Sequence, residues 1–369
     1  MARLRLGMVG GGQGALIGGI HRIAARIDGQ WDLVAGALSS DPDRARASAA
    51  EIGLDPARSY AEFAEMARAE AGRPDGIDAV AIVTPNHLHA PAAIAFLQAG
   101  IHVICDKPLA ATMEQAEAIA AAVAASDRQF ILTHNYSAYP LIRQAREMVA
   151  AGELGEIRLV HVEYVQDWLA EETGGKQAEW RTDPARSGAG GCIGDIGTHA
   201  HNLAGFVSGL DVAELSADLQ AFVPGRRVDD NVHVMLRYEG GARGMLWASQ
   251  VAVGNGNALR LRIHGTKAGL DWAQEDPNRM TFTRFGGPAQ ILTRGGAGAG
   301  PAGLAHLRTP GGHPEGYLEA FATLYAEAAA RIRGETAEAL PGIGEGMAGM
   351  RFIAACLRSS AENAAWVAP

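Results

Sequence analysis

A glycine-rich stretch near the start of the chain limits the possible folds more than any other feature. Residues 10–15 read Gly-Gly-Gly-Gln-Gly-Ala, after an apolar segment at 4–9 and before apolar residues at helical spacing over 15–27. This order predicts a strand, a tight turn and a helix, as in dinucleotide-binding folds, although other α/β proteins also contain glycine turns. The predicted cofactor contacts of the turn are Gly10, Gly12, Gln13 and Ala15, with Ala15 at the position of the third glycine.

The remaining apolar segments predict two different sheets. Continuous apolar runs alternate with helical segments up to residue 134, which predicts a parallel sheet covered on both faces. From residue 157 the strands alternate apolar and polar residues with little helix between them, until two helices close the chain. We predict an α/β chain with an N-terminal Rossmann domain, doubly wound, over 1–134. A C-terminal α+β domain over 135–369 would carry a large open, mostly antiparallel sheet for substrate binding and oligomerisation.

Composition argues against several classes of protein. The net charge is −9 and no basic stripe is present, which argues against a nucleic-acid partner. Three widely spaced cysteines are typical of a reducing compartment, and no pair has zinc-ligand spacing. No stretch of about 18 apolar residues exists, and the first residues make a poor signal peptide. We therefore expect a cytoplasmic protein with no metal site and no membrane contact.

The end of the second predicted strand bears on the choice between NAD and NADP. An acidic residue there is typical of NAD binding, whereas an arginine accommodates the 2′-phosphate of NADP. The chain has the neutral pair Ser39 and Ser40, with Arg44 close by and Asp41 placed as a helix cap. Ser39, Ser40 and Arg44 are predicted ribose contacts, and both cofactors remain open.

Three further segments are specific in their order and spacing. Residues 84–89 read Thr-Pro-Asn-His-Leu-His and follow the third parallel strand, and residues 105–109 read Cys-Asp-Lys-Pro-Leu and follow the fourth. Residues 190–199 read Gly-Gly-Cys-Ile-Gly-Asp-Ile-Gly-Thr-His and belong to the second domain. Together with the glycine turn, these segments resemble the glucose-fructose oxidoreductase and inositol dehydrogenase family (Gfo/Idh/MocA) over essentially the whole chain.

The resemblance implies a dehydrogenase or reductase that uses NAD or NADP on the CH–OH groups of sugars, inositols or related polyols. It also implies a homodimer or homotetramer. Lys107 matches the family lysine of the Glu-Lys-Pro motif, and Asp195 and His199 match the family aspartate and histidine. Asp106 stands where Glu is usual, which keeps the charge but shortens its reach. Asn202 stands where many members have Asp, which weakens any transfer of substrate specificity.

The chemistry of these residues suits the oxidation of a secondary alcohol, which needs a base for the hydroxyl proton. Asp195 and His199 are four residues apart at a predicted helix start, so they share a face, where the carboxylate can orient the imidazole. Lys107 follows the carboxyl end of a parallel strand, where such sheets bind ligands, and can hold the substrate oxygen. The structural alternatives are a helix-capping aspartate, an interior histidine and a solvent-exposed lysine.

Two groups of residues complete the predicted site. The segments after the third and fourth strands are expected to supply further cofactor contacts. In the segment 84–89, His87 and His89 have no nearby carboxylate or cysteine partner that would favour a metal. The predicted cofactor contacts there are Thr84, Pro85, Asn86, His89, Asp106 and Lys107. Tyr164, Gln166 and Trp168 alternate along a predicted strand, on a face that suits either a polyol or a subunit contact. The predicted substrate contacts are Lys107, Asn135, Tyr136, Tyr164, Gln166, Trp168, Arg181, Asp195 and His199.

Two other functions remain compatible with this fold. A non-catalytic dinucleotide sensor could share it, because fold does not fix function. A glycosidase that uses bound NAD for a transient oxidation is the other alternative. Loss of Lys107 or His199 would favour the sensor, and both residues are present.

Overall fold

The computed structural model describes residues 2–337 and 339–369. The chain forms two compact units: Met1–His134 with Phe321–Met350, and Asn135–Ala320 with Arg351–Pro369. The first unit runs without interruption from the start of the chain to His134. The segment 321–350 also packs with the first unit, although its position in the chain suggested the second.

The first unit contains a parallel sheet of five strands in the order β2-β1-β3-β4-β5. Its strands are β1 (Leu4–Gly10), β2 (Trp31–Ala37), β3 (Ala79–Val83), β4 (His102–Cys105) and β5 (Phe130–Leu132). Its helices are α1 (Leu16–Ile27), α2 (Pro42–Glu51), α3 (Phe63–Ala71), α4 (His89–Gln98) and α5 (Met113–Ala124). The predicted Rossmann fold is confirmed, and α3 was not predicted. The strand order reverses between β1 and β3, so ligands are expected beyond the carboxyl ends of these strands.

Local sequence signals account for most of these elements. Every residue of β3 is buried, as expected for a central parallel strand. The Asp41 side chain caps α2 by accepting from the Arg44 amide at 2.8 Å, and Thr112 caps α5 by accepting from the Gln115 amide at 3.3 Å. Both caps satisfy amides that have no partner inside their helix.

The segment 321–350 is held in the first unit by hydrogen bonds and buried rings. The Trp31 indole donates to the Tyr325 carbonyl at 2.9 Å, and the Leu132 amide donates to the Pro341 carbonyl at 3.0 Å. Trp31 and Tyr325 are each 2% exposed and meet edge to face. These partners lie about 200 to 300 residues apart in the chain, as their numbers show, so no local pattern could have indicated their contact.

The second unit contains an eight-stranded sheet in the order β13-β12-β11-β10-β6-β9-β8-β7. Its strands are β6 (Ile157–Val165), β7 (Val212–Gln220), β8 (Asn231–Tyr238), β9 (Arg243–Ser249), β10 (Ala258–Gly265), β11 (Ala268–Ala273), β12 (Arg279–Arg284) and β13 (Ala289–Thr293). All neighbours are antiparallel except β6 and β9. The predicted mostly antiparallel sheet is confirmed, and β11 and β13 were missed.

The remaining helices come before, between and after the strands of the second sheet in the sequence. They are α6 (Pro140–Ala150), α7 (Lys176–Arg181), α8 (Pro184–Ser187), α9 (Thr198–Ser208), α10 (Pro301–Leu304), α11 (Tyr317–Ile332) and α12 (Ile343–Ala361). The stretch 174–191 is polar and glycine-rich, a composition that predicts a loop. It contains α7 and α8, each too short to give a periodic signal. Within the described ranges, no helix is both long enough and apolar enough to cross a membrane.

Candidate active site

The glycine turn after β1 is shaped by contacts that exclude side chains. Gly10 and Gly11 have φ of +79° and +72°, the left-handed region that favours glycine. A Cβ on Gly12 would lie 2.6 Å from the Leu38 carbonyl oxygen, and a Cβ on Gly18 would lie 2.4 Å from the Gly11 Cα. Gly18, rather than Ala15, therefore provides the close contact between turn and helix. The sequence prediction missed Gly18, although a glycine inside a helical pattern often signals such packing.

The start of α1 leaves its first amides available to a ligand. Its N-cap residue, Ala15, makes no side-chain cap, and the Ala15 amide donates to the Gly12 carbonyl at 3.0 Å. Uncapped helical amides with the positive end of the helix dipole favour a phosphate. The Gln13 side chain instead donates to Glu51 at 3.0 Å, and the Gln13 amide donates to the Ser48 hydroxyl at 3.0 Å. Gln13 thus ties the turn to α2.

A substitution at Gly12 should weaken cofactor binding. Gly12→Val puts branched carbons against Leu38 and Ser48, so the turn must move away from β2 and lose its phosphate-binding shape. We expect a clear fall in NAD affinity by calorimetry, with Gly72→Ala as a control at the end of α3, where an added Cβ meets nothing closer than 3.7 Å. Unchanged affinity in Gly12→Val would contradict this role.

The end of β2 carries no acidic side chain that is free for a ribose. Ser39 accepts from the Asp41 amide at 3.2 Å, and Asp41 is committed to the cap of α2. Ser40 and the Arg44 side chain are exposed. Of the predicted ribose contacts, Ser39 and Ser40 are neutral and Arg44 carries a positive charge, while the nearby Asp41 carboxylate caps α2.

The loop after β3 is fixed by His89, which is fully buried. Its two ring nitrogens lie 3.0 Å from the Thr84 carbonyl and 2.9 Å from the Pro108 carbonyl, and burial lowers its pKa. His89 therefore joins the loops after β3 and β4, and we correct its predicted role as a cofactor contact. By contrast, Thr84 Oγ1 and His87 Nδ1 are buried and find no hydrogen-bond partner among the described residues. Both atoms fit a cofactor that would supply the missing bonds.

The Asp106 side chain is held by other side chains of the first unit. Its Oδ1 lies 3.0 Å from His21 Nε2 and accepts from the Thr133 hydroxyl at 2.6 Å, and His21 Nδ1 lies 2.8 Å from the Tyr325 hydroxyl. Burial alone would raise the pKa of Asp106, but the charge of His21 and these hydrogen bonds outweigh it and lower the pKa. Asp106 therefore anchors the main chain beside the half-buried Lys107, and its contact with a cofactor stays a prediction.

In the second unit, Asp195 lies in a π-helical segment, Ile193–Gly197, that runs directly into α9. The sequence pattern predicted a regular helix from Asp195 onward, with a helix cap as the structural alternative for Asp195, and the π-helical turn departs from that regular helix. Asp195 Oδ2 accepts from Arg181 Nε at 3.1 Å and from Gln250 Nε2 at 2.9 Å. A single π-helical turn inside an α-helix is frequently found at functional sites. The Asp195 carboxylate in this segment is thus held by the side chains of Arg181 and Gln250.

His199 occupies the first turn of α9 and is 8% exposed. Its ring meets Tyr136 edge to face, with centroids 4.8 Å apart, and Tyr164 at 6.1 Å. Two aromatic rings thus fix the position of the imidazole. The structure brings together His199, Tyr136 and Tyr164, which are three of the predicted substrate contacts.

A hydrogen-bond network joins the tyrosines to amide side chains. The Tyr136 and Tyr164 hydroxyls are 2.6 Å apart, and the Tyr164 hydroxyl donates to Asn257 Oδ1 at 2.9 Å. Gln166 Nε2 donates to the same Asn257 oxygen at 2.6 Å. Burial raises the pKa of Tyr136 and raises that of Tyr164 well above its usual value, so both hydroxyls stay protonated. Asn257, which links these groups, was missed by the sequence prediction because it follows an exposed loop.

The other predicted substrate contacts lie around this network with different roles. β6 ends at Val165, so Gln166 and Trp168 lie beyond the strand, where the Trp168 indole donates to Gln166 Oε1 at 3.0 Å. Arg181 lies on α7 and packs its guanidinium over the Trp180 ring at 4.3 Å while it pairs with Asp195. Asn135 is buried, and its Nδ2 finds no hydrogen-bond partner in the described part of the chain.

Comparisons with known proteins match each part of the chain to a family model. The family model described as "Oxidoreductase family, NAD-binding Rossmann fold" matches residues 4–134, and the model "GFO/IDH/MocA C-terminal domain" matches residues 142–271. A solved oxidoreductase from Sinorhizobium meliloti is 53% identical, with 100% of both chains covered and a TM-score of 0.91.

Two further relatives have more informative names. An inositol dehydrogenase homolog from Azotobacter vinelandii, solved with NADH and myo-inositol, is 36% identical, covering 100% of this chain and 98% of that chain, with a TM-score of 0.93. Levoglucosan dehydrogenase from Pseudarthrobacter phenanthrenivorans is 30% identical over 76% of this chain and 77% of that protein.

Proposed function

The chain belongs to the GFO/IDH/MocA family of NAD-binding oxidoreductases, and we propose that it transfers a hydride between NAD or NADP and a secondary alcohol of a cyclic polyol or sugar. The observation that carries the proposal is the cluster around His199. An imidazole fixed by two tyrosine rings lies beside a network of hydroxyl and amide groups. Such a set can bind several hydroxyls and remove a proton from one of them.

Each proposed residue has a separate task in the oxidation. His199 accepts the proton of the reacting hydroxyl, and Asp195 stabilises the cation that forms on the imidazole. Lys107 binds the reacting oxygen and stabilises the negative charge that develops on it. A bound nicotinamide would supply the acceptor for the hydride that leaves the carbon bearing this hydroxyl. Arg181 and Gln250 hold the Asp195 carboxylate, so its charge stays in one place.

The substrate class follows from the polar partners. Tyr164, Gln166 and Asn257 supply donors and acceptors for ring hydroxyls, and Trp168 supplies a flat apolar face. Myo-inositol and levoglucosan are in the names of relatives and are the first compounds to test. A non-catalytic sensor would have no need of a base with fixed geometry, which makes it the weaker candidate.

A panel assay tests the proposed function directly. The protein should change nicotinamide absorbance with at least one compound among inositols, levoglucosan and aldoses, supplied with NAD⁺ and with NADP⁺. Binding of cofactor with no turnover on any of them would favour the sensor. Bond cleavage in a glycoside without net absorbance change would favour the glycosidase.

We further propose that the chain assembles as a homodimer or homotetramer in the cytoplasm, through the open face of the eight-stranded sheet. Along this face lie the exposed side chains of Leu159, Met235, Met245 and Ile291, which are 42% to 63% exposed. Met235 and Met245 are paired across β8 and β9, and Met245 pairs with His161 of β6. Exposed apolar side chains in adjacent strands are typical of an interface.

Light scattering should therefore give a mass of at least two chains. Met245→Glu puts a charge at the centre of this face and should lower the mass toward that of one chain. Ile23→Glu on α1, also at an exposed apolar position, is the matched control and should leave the mass unchanged. A single-chain mass for the unchanged protein would exclude this assembly.

A further inference from the structure

Two adjacent carboxylates, Asp229 and Asp230, are buried directly before β8 although the proposed reaction gives them no task. Asp229 is 8% exposed and Asp230 is fully buried. Burying a carboxylate is costly unless it is paired or hydrogen-bonded. Their partners therefore indicate what the two residues do.

Asp229 holds three successive amides of the segment that leads to Asp195. Its Oδ1 accepts from the Gly191 amide at 2.7 Å and its Oδ2 accepts from the Ile193 amide at 2.7 Å. Its own carbonyl accepts from the Cys192 amide at 2.8 Å. A Cβ on Gly191 would lie 2.2 Å from that carbonyl oxygen, so the contact depends on glycine at this position.

These amides open the π-helical segment that carries Asp195 and continues into α9. The carboxylate takes the place of an N-cap, because the first helical amides have no partner within the helix. Cys192, the N-cap residue of the segment, makes no side-chain cap of its own. The register of Asp195, and of His199 one turn later, is therefore set by Asp229.

Asp230 supports the Asp195 carboxylate through a separate set of contacts. Its side chain accepts from the amides of Phe222 and Val223 at 2.9 to 3.0 Å and pairs with Arg226 at 3.2 Å. Its carbonyl accepts from the Gln250 amide at 2.8 Å, and the Gln250 side chain donates to Asp195 Oδ2. Asp229 thus fixes the main chain that precedes Asp195, and Asp230 fixes Gln250, which holds the Asp195 side chain.

We infer that Asp229 and Asp230 are positioning residues for the reaction: Asp229 sets the register of Asp195 and His199, and Asp230 sets the position of Gln250. The inference rests on the proposed function, because it assigns these carboxylates to the geometry of Asp195 and His199. Both act through other residues and contact no reacting atom.

The ionisation of Asp229 gives a readout that a purely structural carboxylate would not. Burial raises the pKa of Asp229 to about 6, against the hydrogen bonds from Ile193 and Gly191 that lower it. The titratable groups that face it are Asp230 on its own segment, the Cys192 thiol of the π-helical segment and the Cys356 thiol of α12. Once protonated, the carboxyl carries an O–H and can no longer accept from both amides with two anionic oxygens.

The sign of the linkage separates activity from stability. The folded-state pKa is raised above the unfolded value, so this group contributes stability below the unfolded pKa and loses it as pH rises through about 6. Acidification through this range therefore does not destabilise the fold through Asp229. Protonation of the base His199 also lowers kcat on acidification, in the parent and in variants of Asp229 alike. The part of the fall that the parent shows and Asp229→Asn lacks would therefore come from the lost register.

The test compares Asp229→Asn and Asp229→Ala with Asp218→Asn, which changes an exposed carboxylate on β7. We expect kcat on the best polyol to fall about 10- to 100-fold, because small displacements of catalytic groups have effects of this size. Asn keeps one acceptor oxygen and should recover part of the rate lost in the alanine variant. Amide hydrogen exchange over residues 190–199 should become faster in both variants and stay unchanged in Asp218→Asn.

Cofactor affinity and the melting temperature of Asp229→Asn should remain close to those of the parent. In the pH profile of this variant, the part of the fall in kcat that occurs on acidification near pH 6 should be absent. Unchanged kcat in Asp229→Asn, or unchanged exchange over 190–199, would overturn the inference. If the parent turns over no polyol, the proposed function fails, and the exchange measurement alone decides the inference. If Asp229→Ala does not fold, Asp229→Asn decides it.

Discussion

His199→Ala should lower kcat for the oxidation of a proven polyol by about 100- to 10,000-fold, the usual contribution of a general acid or base. The imidazole is the titratable group that the rings of Tyr136 and Tyr164 hold in place. Neither tyrosine can replace it as a base, since burial raises the pKa of both hydroxyls. Cofactor affinity should stay unchanged, because the glycine turn and the helix amides belong to the first unit.

The matched control is His313→Ala, which removes an exposed histidine from the second unit. It should leave kcat, KM and the melting temperature unchanged. Steady-state kinetics with both variants, together with calorimetric titration of NAD, separates a catalytic defect from a folding defect. Near-normal turnover in His199→Ala would exclude the proposed base while leaving the family assignment intact.

Asp195→Asn complements this experiment, and the structure changes its interpretation. The aspartate does not cap a helix: its Oδ2 accepts from Arg181 and Gln250. An asparagine oxygen can still accept from both donors, but it leaves the Arg181 charge unpaired and cannot stabilise an imidazolium. We expect a lower kcat with little change in stability, and a large drop in melting temperature would instead favour a structural role.

Local patterns predicted most of the parallel sheet, because its signals are local. The run at β3 and the caps at Asp41 and Thr112 each depend on residues within a few positions of one another. The glycine turn is equally local, since left-handed φ values at Gly10 and Gly11 restrict the residue type directly. Such features can be recognised without knowledge of the tertiary structure.

The supports of the site could not be predicted in the same way. His21 meets Asp106 and Tyr325 across gaps of 85 and 304 residues, and a lone histidine in a helix gives no hint of either contact. The π-helical turn at Asp195 depends on Asp229, which lies 36 residues beyond Ile193. At Asp195 the tertiary partner determines the local conformation, so sequence periodicity alone led to a regular helix.

Lys107→Ala should lower kcat/KM by about 100- to 1,000-fold, the cost of losing one preorganised group at a developing negative charge. Lys107 directly follows β4, and its neighbour Asp106 is locked by His21 and Thr133, so the main chain of the lysine is held in place. KM should rise if the ammonium also binds the substrate oxygen in the ground state, whereas an effect on kcat alone would limit its role to the transition state.

Two comparisons make the experiment decisive for Lys107. Lys267→Ala removes an exposed lysine and should leave all parameters unchanged. Lys107→Arg keeps the positive charge but replaces a compact ammonium with a planar guanidinium, so it should recover only a small part of the lost rate. If Lys107→Ala retained normal kcat and KM while His199→Ala did not, another group would have to stabilise the reacting oxygen. Full activity in Lys107→Arg would instead mean that charge alone is sufficient at this position.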